Sequence, residues 1–503
     1  MGAAGVEFLL AVAIAWWGRH KRSLAMSGWL AATAISGLIV LAFPFDRDNS
    51  PRVELCDQLP IPELSRDSAA VLRISPQTNA AIRTVFLMTT LTFCALAKVS
   101  IWAHGLTTLD DIEPTNGPFA YGILISIQLS LGLSGKEWLR DSANQQNWWE
   151  AQLSISMLTL MFSILFLIFP KLKTLPGSEE EIDNSVQDGF LTSFKRVVKN
   201  RTIILQIGAL GFLNGAVFRF FNYDREYMQA LFHVDALRPD LRSSRLIGSI
   251  FRPLVIIFFI MIFRVRFSLR RRDGVKAVIA SKVGGIVACA TSVLFITITV
   301  LSCNDPIAGH DGHLVQSLAC KDCFCDSETH GFTPVCGLDS FVTYFSPCEA
   351  GCRSYENLNE FLVFRNCSCE ASGVTRGACG LPGCHLIYTL YQVFLTLILA
   401  IGGASMLMQG MVVLRAVRPR DKPLAIGVML AVIALTGQLL SHLLYFAISN
   451  ETCAFFNAGR CIFHNTSLYI MAVISAIFTV LSGVVSLVNF RLQRMAGFKE
   501  NED

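Results

Sequence analysis

Long apolar runs recur along this chain with few charged residues inside them, and this recurrence limits the possible folds more than any motif does. A helix needs about 20 residues to cross the hydrocarbon core of a bilayer. A backbone in lipid must also satisfy its own polar groups, which a helix does and an open strand does not. Eleven runs read as spans, near residues 5–18, 24–45, 82–104, 118–135, 151–169, 202–221, 246–263, 277–302, 385–410, 424–449 and 467–490. The first is short and contains Glu7; basic residues follow it rather than precede it, unlike a secretory signal peptide. Only 16% of the 503 residues are charged, against about 25% in a soluble domain. A net charge of +4 gives no bulk affinity for nucleic acid, so the bilayer is the expected partner.

Lysines and arginines orient the spans, because cytoplasmic loops hold an excess of them. "GRHKR" follows the first run, and Lys171, Lys173, Lys195, Arg196, Lys199 and Arg201 lie between the fifth and sixth. "RVRFSLRRRDGVK" follows the seventh, "RAVRPRDKP" the ninth, and Arg491, Arg494 and Lys499 stand in the tail. In an alternating chain these segments share one side, expected to be cytoplasmic. The loop 222–245 falls on the other side despite Arg225, Arg238, Arg242 and Arg245, which four carboxylates offset.

Eleven of the sixteen cysteines lie between Cys303 and Cys384, in a loop on the expected outer face. These are Cys303, Cys320, Cys323, Cys325, Cys336, Cys348, Cys352, Cys367, Cys369, Cys379 and Cys384; Cys453 and Cys461 form a further pairable couple in the last outer loop. "CKDCFC", with His310, His313 and His330 nearby, has zinc-like spacing. An oxidising compartment and cysteines spread over some eighty residues favour disulfides, and no metal is expected. Eleven cysteines leave one over, for which Cys56 is the candidate partner. The glycosylation sequons at Asn366, Asn450 and Asn465 fall outside, and the one at Asn200 inside.

"PVCG" at 334–337 with Tyr344, Cys348 and Cys352 resembles a Kazal-type module. Set between two late spans, it resembles the organic anion transporting polypeptides, a solute carrier family. The likeness continues in "CNDPIAG" at 303–309, "NCSC" at 366–369 and "ETCAFFNAGRC" in the last outer loop. "LTTLDD" with "GPFAYGIL" is similar to the family's stretch between its fourth and fifth spans, "FPKLKTLP" to the exit from its sixth, and "LRAVRPRDKPLAIG" to the approach to its eleventh. This register makes the first run the family's second span. The expectation is a twelve-span family and a further helix ahead of Met1, which would bring the N-terminus to the cytoplasm.

The resemblance implies an all-α polytopic membrane protein of major-facilitator type, two helical bundles flanking a midplane cavity, with a small disulfide-rich Kazal-like extracellular domain. The expected parts are an N-terminal bundle at 1–169, a cytoplasmic linker at 170–201, a C-terminal bundle at 202–302 and 385–490, the outer domain at 303–384 and a tail at 491–503. The implied function is sodium-independent transport of amphipathic organic anions by alternating access, of the bile acid, steroid conjugate, eicosanoid or thyroid hormone type. A counter-anion such as bicarbonate is a possible partner, and the implied setting is the plasma membrane with the C-terminus cytoplasmic. Neither a phosphate-binding G-x-x-x-x-G-K-[ST] string nor a catalytic constellation stands out, so an enzyme, an ATP-driven pump and a cofactor are not expected. A transport-silent paralogue binding partners through its outer domain is the alternative, and a tethered protease inhibitor a weaker one.

That alternative rests on departures from the family pattern. "DSANQQNWWEAQL" keeps Asp141, Trp148, Trp149 and Leu153 of the family signature but has Ala143, Asn144, Gln146 and Ala151 at other positions. Cys94 and Ala434 stand where the family has arginines, Leu440, Ser441 and His442 replace "PGP", and the histidine of "PHF" is lost before Phe45. An anion in a low-dielectric cavity needs a counter-charge. Lys98, one turn from Cys94, is the first candidate to supply it; pairing with a carboxylate or snorkelling is the bland reading. Arg252 beside Pro253 is the second, equally open to snorkelling. Trp148 and Trp149 suit either an interface or cargo contact, and His442 either packing or a proton-linked role. Glu7 could pair with one of these cations, and Arg219 reads as an interface anchor.

Overall fold

The computed structural model describes residues 2–42, 55–56, 76–112, 122, 148–168, 189–232, 254–262, 276–303, 307–308, 323, 325, 333–358, 361–377, 379, 384–457 and 460–499. The first half of the chain supplies α1 (Gly2–Trp17), α2 (Arg22–Val40), α3 (Pro76–Ser100), a π-helical turn (Ile101–Gly105), α4 (Leu106–Ile112) and α5 (Trp148–Ile168). Then come α6 (Phe190–Lys199), α7 (Arg201–Asn222), α8 (Asp224–Phe232) and α9 (Ala277–Thr299). The last part holds α10 (Cys384–Arg415), α11 (Lys422–Ile433), a second π-helical segment (Ala434–Leu440), α12 (Ser441–Glu451) and α13 (Ile470–Lys499). Residues 254–262 are also helical. Among the described residues, eight helices are long and apolar enough to cross a membrane. The expected run at 118–135 lies outside the described residues, apart from Gly122.

Three expectations change. The third run does not stop at 104: helix continues through the π turn to Ile112, so "LTTLDD" is the end of a helix rather than a loop. Within the expected linker 170–201, residues 190–199 form a helix because their apolar and basic positions recur at helical spacing. In the outer loop 222–245, residues 224–232 form α8, whose Tyr227 stacks on Tyr391 of α10 with ring centroids 5.6 Å apart. Tyr391 also donates its hydroxyl hydrogen to Asp224 at 2.6 Å.

Lipid offers no hydrophobic drive between helices, so packing and interhelical hydrogen bonds hold them together. Ser281 of α9 and Ser486 of α13 each donate to the other's carbonyl, at 2.7 and 2.9 Å. Asn489 donates to Gln206 of α7 at 3.0 Å, and Gln409 of α10 to Ser482 at 3.1 Å. Such bonds average about 0.6 kcal/mol in membranes, so the set acts together as a lock on the second half. Two apolar cores separate the work. One, around Phe220, Tyr227, Phe295 and Tyr391, lies within the second half. The other joins Ala11, Ile14 and Ala15 of α1 and Leu96 and Val99 of α3 to Ile203, Ile207 and residues 424–431, and so seals one half against the other. Gly427 permits that seal: a Cβ there would come within 3.0 Å of the Ala11 carbonyl oxygen.

The outer domain is a six-stranded sheet in the order β1-β3-β2-β6-β5-β4, built from Ile307–Ala308, Val335–Gly337, Thr343–Tyr344, Cys352–Leu358, Phe361–Cys367 and Val374–Arg376 in numerical order. Its core is small: Leu55, Val335, Ala350, Cys352, Phe364 and Val374. A domain this poor in apolar volume depends on disulfides. Cys325–Cys348, Cys336–Cys379 and Cys352–Cys367 lie within it, and Cys453–Cys461 ties the hairpin β7 (Cys453–Asn457) to β8 (Arg460–His464). Cys303 and Cys369 are also disulfide-bonded. Cys320 lies outside the described residues, as does the side chain of Cys384 at the start of α10. Cys56 pairs with Cys323, as the odd count suggested. Cys94 and Cys289, both inside membrane helices, are free. Asn366 and Asn465 are exposed, whereas Asn450 is half-buried in the last turn of α12.

Candidate functional site

A carboxylate placed in an apolar helix loses its hydration, at a cost of several kcal/mol unless it is paired. Glu7 is that case, 4% exposed in the middle of "GVEFLLAV". Lys98 of α3 reaches both of its oxygens, Nζ to Oε1 at 2.8 Å and to Oε2 at 2.9 Å. The Lys98 side chain is 35% exposed, against 5% for that of Glu7. Lys98 is therefore a paired cation rather than a lone one.

A third group arrives from the other half of the molecule. Gln438 donates from Nε2 to Glu7 Oε2 at 3.4 Å. It stands in the π segment Ala434–Leu440, where the wider turn displaces the regular hydrogen-bond ladder. Arg219 of α7 uses the carbonyls there, donating from Nη2 to Gln438 O at 2.5 Å and from Nε to Gly437 O at 3.4 Å. The π segment lies almost backbone to backbone against α7: a Cβ on Gly437 would stand 3.2 Å from the Gly211 carbonyl oxygen. Arg219 thus fixes the backbone whose side chain touches Glu7. Two cations against one carboxylate leave this group, Lys98–Glu7–Gln438–Arg219, with net positive charge inside a membrane-spanning bundle.

The other residues singled out from the sequence do not all join it. His442 sits one turn beyond Gln438, its ring 6.1 Å from Phe446, and its Nδ1 is buried without a partner among the described residues. Trp148 and Trp149 open α5, which packs on α2, and Trp149 is 47% exposed, as suits a lipid interface. Arg252 lies outside the described residues. Sequence reasoning missed Gln438 and the bracing role of Arg219, since a neutral amide and a π turn leave no hydropathy signal.

A second charged group joins α4 to the end of α10 and the starts of α2 and α11, at the end of the bundle expected to face inward. Asp110 is fully buried and accepts from Arg415 at 2.9 Å and Lys422 at 2.6 Å. Asp111 accepts from Lys422 at 3.0 Å and from Arg22 at 2.8 Å. Asp421 accepts from Arg196 of α6 at 2.8 Å. Asp110 and Asp111 belong to the first half, and Arg415 and Lys422 to the second, so these pairs latch the halves together. Adjacent aspartates in "LTTLDD" and the cations of "RPRDKP" were the available signal.

A family model described as Organic Anion Transporter Polypeptide (OATP) family matches residues 6–469. Human solute carrier organic anion transporter family member 1B3 is 24% identical over 416 residues, 72% of this chain and 57% of that protein. Rat member 1B2 is 24% identical over 436 residues, 75% of this chain and 61% of that protein. Mouse member 1B2 is 30% identical over 180 residues, 32% of this chain and 25% of that protein. The chain thus spans less than two thirds of the length of these relatives.

Proposed function

Because this chain belongs to the Organic Anion Transporter Polypeptide family, we propose that it is a carrier, not an enzyme, that moves organic anions across the plasma membrane, its C-terminus cytoplasmic. The carrying observation is the positive cluster Lys98–Glu7–Gln438–Arg219, which draws on both halves of the bundle in the membrane interior. An ionisable group at such depth marks a pathway by default. The cargo's carboxylate or sulfate exchanges with Glu7 at the Lys98 ammonium, and apolar cargo surface rests on the helix walls. Amphipathic anions of the bile acid or steroid conjugate type fit that division, with a counter-anion such as bicarbonate taking the same charge on the return. Alternating access then consists of parting the Asp110/Asp111 latch while the two halves rock about the Glu7–Gln438 contact.

Uptake of a labelled conjugated steroid into cells expressing the chain tests this, with surface biotinylation as the control for folding. Lys98→Gln weakens uptake about tenfold, since a charged hydrogen bond contributes roughly 1.5–3 kcal/mol. Lys98→Arg keeps part of the activity, and Glu7→Gln, which removes the competing carboxylate, lowers the KM. A Lys98→Gln chain at the surface with unchanged uptake would refute the assignment.

A further inference from the structure

We propose that α6 lies in the plane of the membrane and binds acidic phospholipid headgroups of the leaflet at the inner end of the bundle. The proposal requires that the neighbouring helices cross a bilayer, and is independent of what the protein carries.

The helix "FLTSFKRVVK" has three distinct faces. One is against protein: Ser193 and Val197 are buried, Phe190 meets Trp16 of α1 edge-on with centroids 5.3 Å apart, and Arg196 holds Asp421. A second is apolar and open. Leu191 is 76% exposed and Val198 is 41% exposed. They are seven residues apart, so they lie almost on one line along the helix. The third face is basic and follows directly: Lys195 and Lys199 are exposed, on the side of that line away from the protein. No acidic residue occurs in the helix. An apolar line bordered by lysines is the pattern of a helix at the boundary of headgroups and acyl chains.

Its position agrees. α6 ends at Lys199, and Asn200 caps the membrane-crossing α7, accepting from the Thr202 N–H at 3.1 Å. The helix is therefore held at the height where α7 and α1 leave the hydrocarbon. Further exposed cations stand at neighbouring helix ends: Arg201 opens α7, Lys21 precedes α2, and Arg418 and Arg420 precede α11, while Arg19 stacks over Trp16 at 3.3 Å. Burial first, and then the charge of Arg420, hold the Arg19 guanidinium below its ordinary pKa, while Asp421 acts the other way. Charge complementarity selects an anionic lipid, because a zwitterionic headgroup brings no net negative charge to Lys195 and Lys199.

The test uses the full chain in nanodiscs of phosphatidylcholine, with or without 30 mol % phosphatidylserine, and follows amide hydrogen exchange of the segment 190–199. Exchange is expected to slow by about fivefold or more with phosphatidylserine, from the attraction of each basic side chain to an acidic leaflet. The double variant Lys195→Gln/Lys199→Gln should lose most of that slowing while exchange in α9 and α10 stays unchanged, which shows that it remains folded. Equal exchange in the two lipid compositions would overturn the proposal. So would full slowing in the double variant, or slowing reproduced by inorganic phosphate added to phosphatidylcholine discs, since no lipid headgroup would then be required.

Discussion

At the inner end of the bundle, Asp110 and Asp111 hold Arg22, Arg415 and Lys422 through ion pairs that can open and reform. At the outer end, Leu55 and Cys56, which follow α2, are fixed into the disulfide domain. Leu55 lies in its core, the Cys56 N–H donates to the Cys352 carbonyl at 2.8 Å, and the Cys56–Cys323 bond makes the join covalent. Both regions tie the first half of the chain to the second. One does so with charges whose strength depends on burial and salt, the other with bonds set by the oxidising compartment. In the proposed rocking of the two halves, the reversible join is the one that parts. The covalent join lies outside the described helices, at Cys56.

The largest effect expected from breaking this contrast is at Asp110. Asp110→Asn leaves Arg415 and Lys422 half-paired in a buried site, and breaking a buried pair from one side costs about 3–5 kcal/mol. Thermal unfolding in nanodiscs should show a much lower Tm, with less chain at the cell surface. Cys56→Ser acts at the other end. It should destabilise the outer domain by about 2–4 kcal/mol, read as faster proteolysis of residues 323–379, and should expose the Cys323 thiol to labelling on intact cells. Arg22→Gln removes a part-exposed pair, worth about 0.2–1 kcal/mol. Its cost should vanish in 1 M salt, whereas that of Cys56→Ser should not. The smallest effect concerns acid. Burial holds His464 of the outer hairpin below its ordinary pKa. The unfolded chain therefore binds the proton first, so hairpin stability is complete above the unfolded value of about 6.5 and falls as pH drops below it. Protection of the β7 and β8 amides, corrected for the intrinsic pH dependence of exchange, should be lower at pH 5 than at pH 7.

Much of the helical frame was legible because lipid imposes a coarse rule: a run of apolar residues long enough to cross is a helix. Cys56 was also legible as the candidate partner of an outer cysteine, since an odd count in the loop leaves one over. Lys98 was found as a charge deep in a span, with pairing and cargo contact as its two readings. Glu7 lies 91 positions away, and hydropathy does not report which helices touch. Gln438 was invisible because the π segment that presents it has the same composition as ordinary helix around it. The latch was visible only as two short resemblances, with nothing to say that Asp110 and Lys422 meet across 312 positions. For α6, the basic residues served only to orient the chain. Their alternation with Leu191, Phe194 and Val198 carried a second message that the orientation rule does not use.

The Cys56–Cys323 bond also changes the topology of the polypeptide. Its two ends are 267 positions apart, so the backbone between them closes into a macrocycle that contains α3 to α9. Cys94 is the other cysteine before residue 170, and it is free. A single cut in the stretch 170–188 therefore opens the ring without releasing a fragment. The nicked protein still migrates as one chain until a reductant is added, and then separates into its two halves.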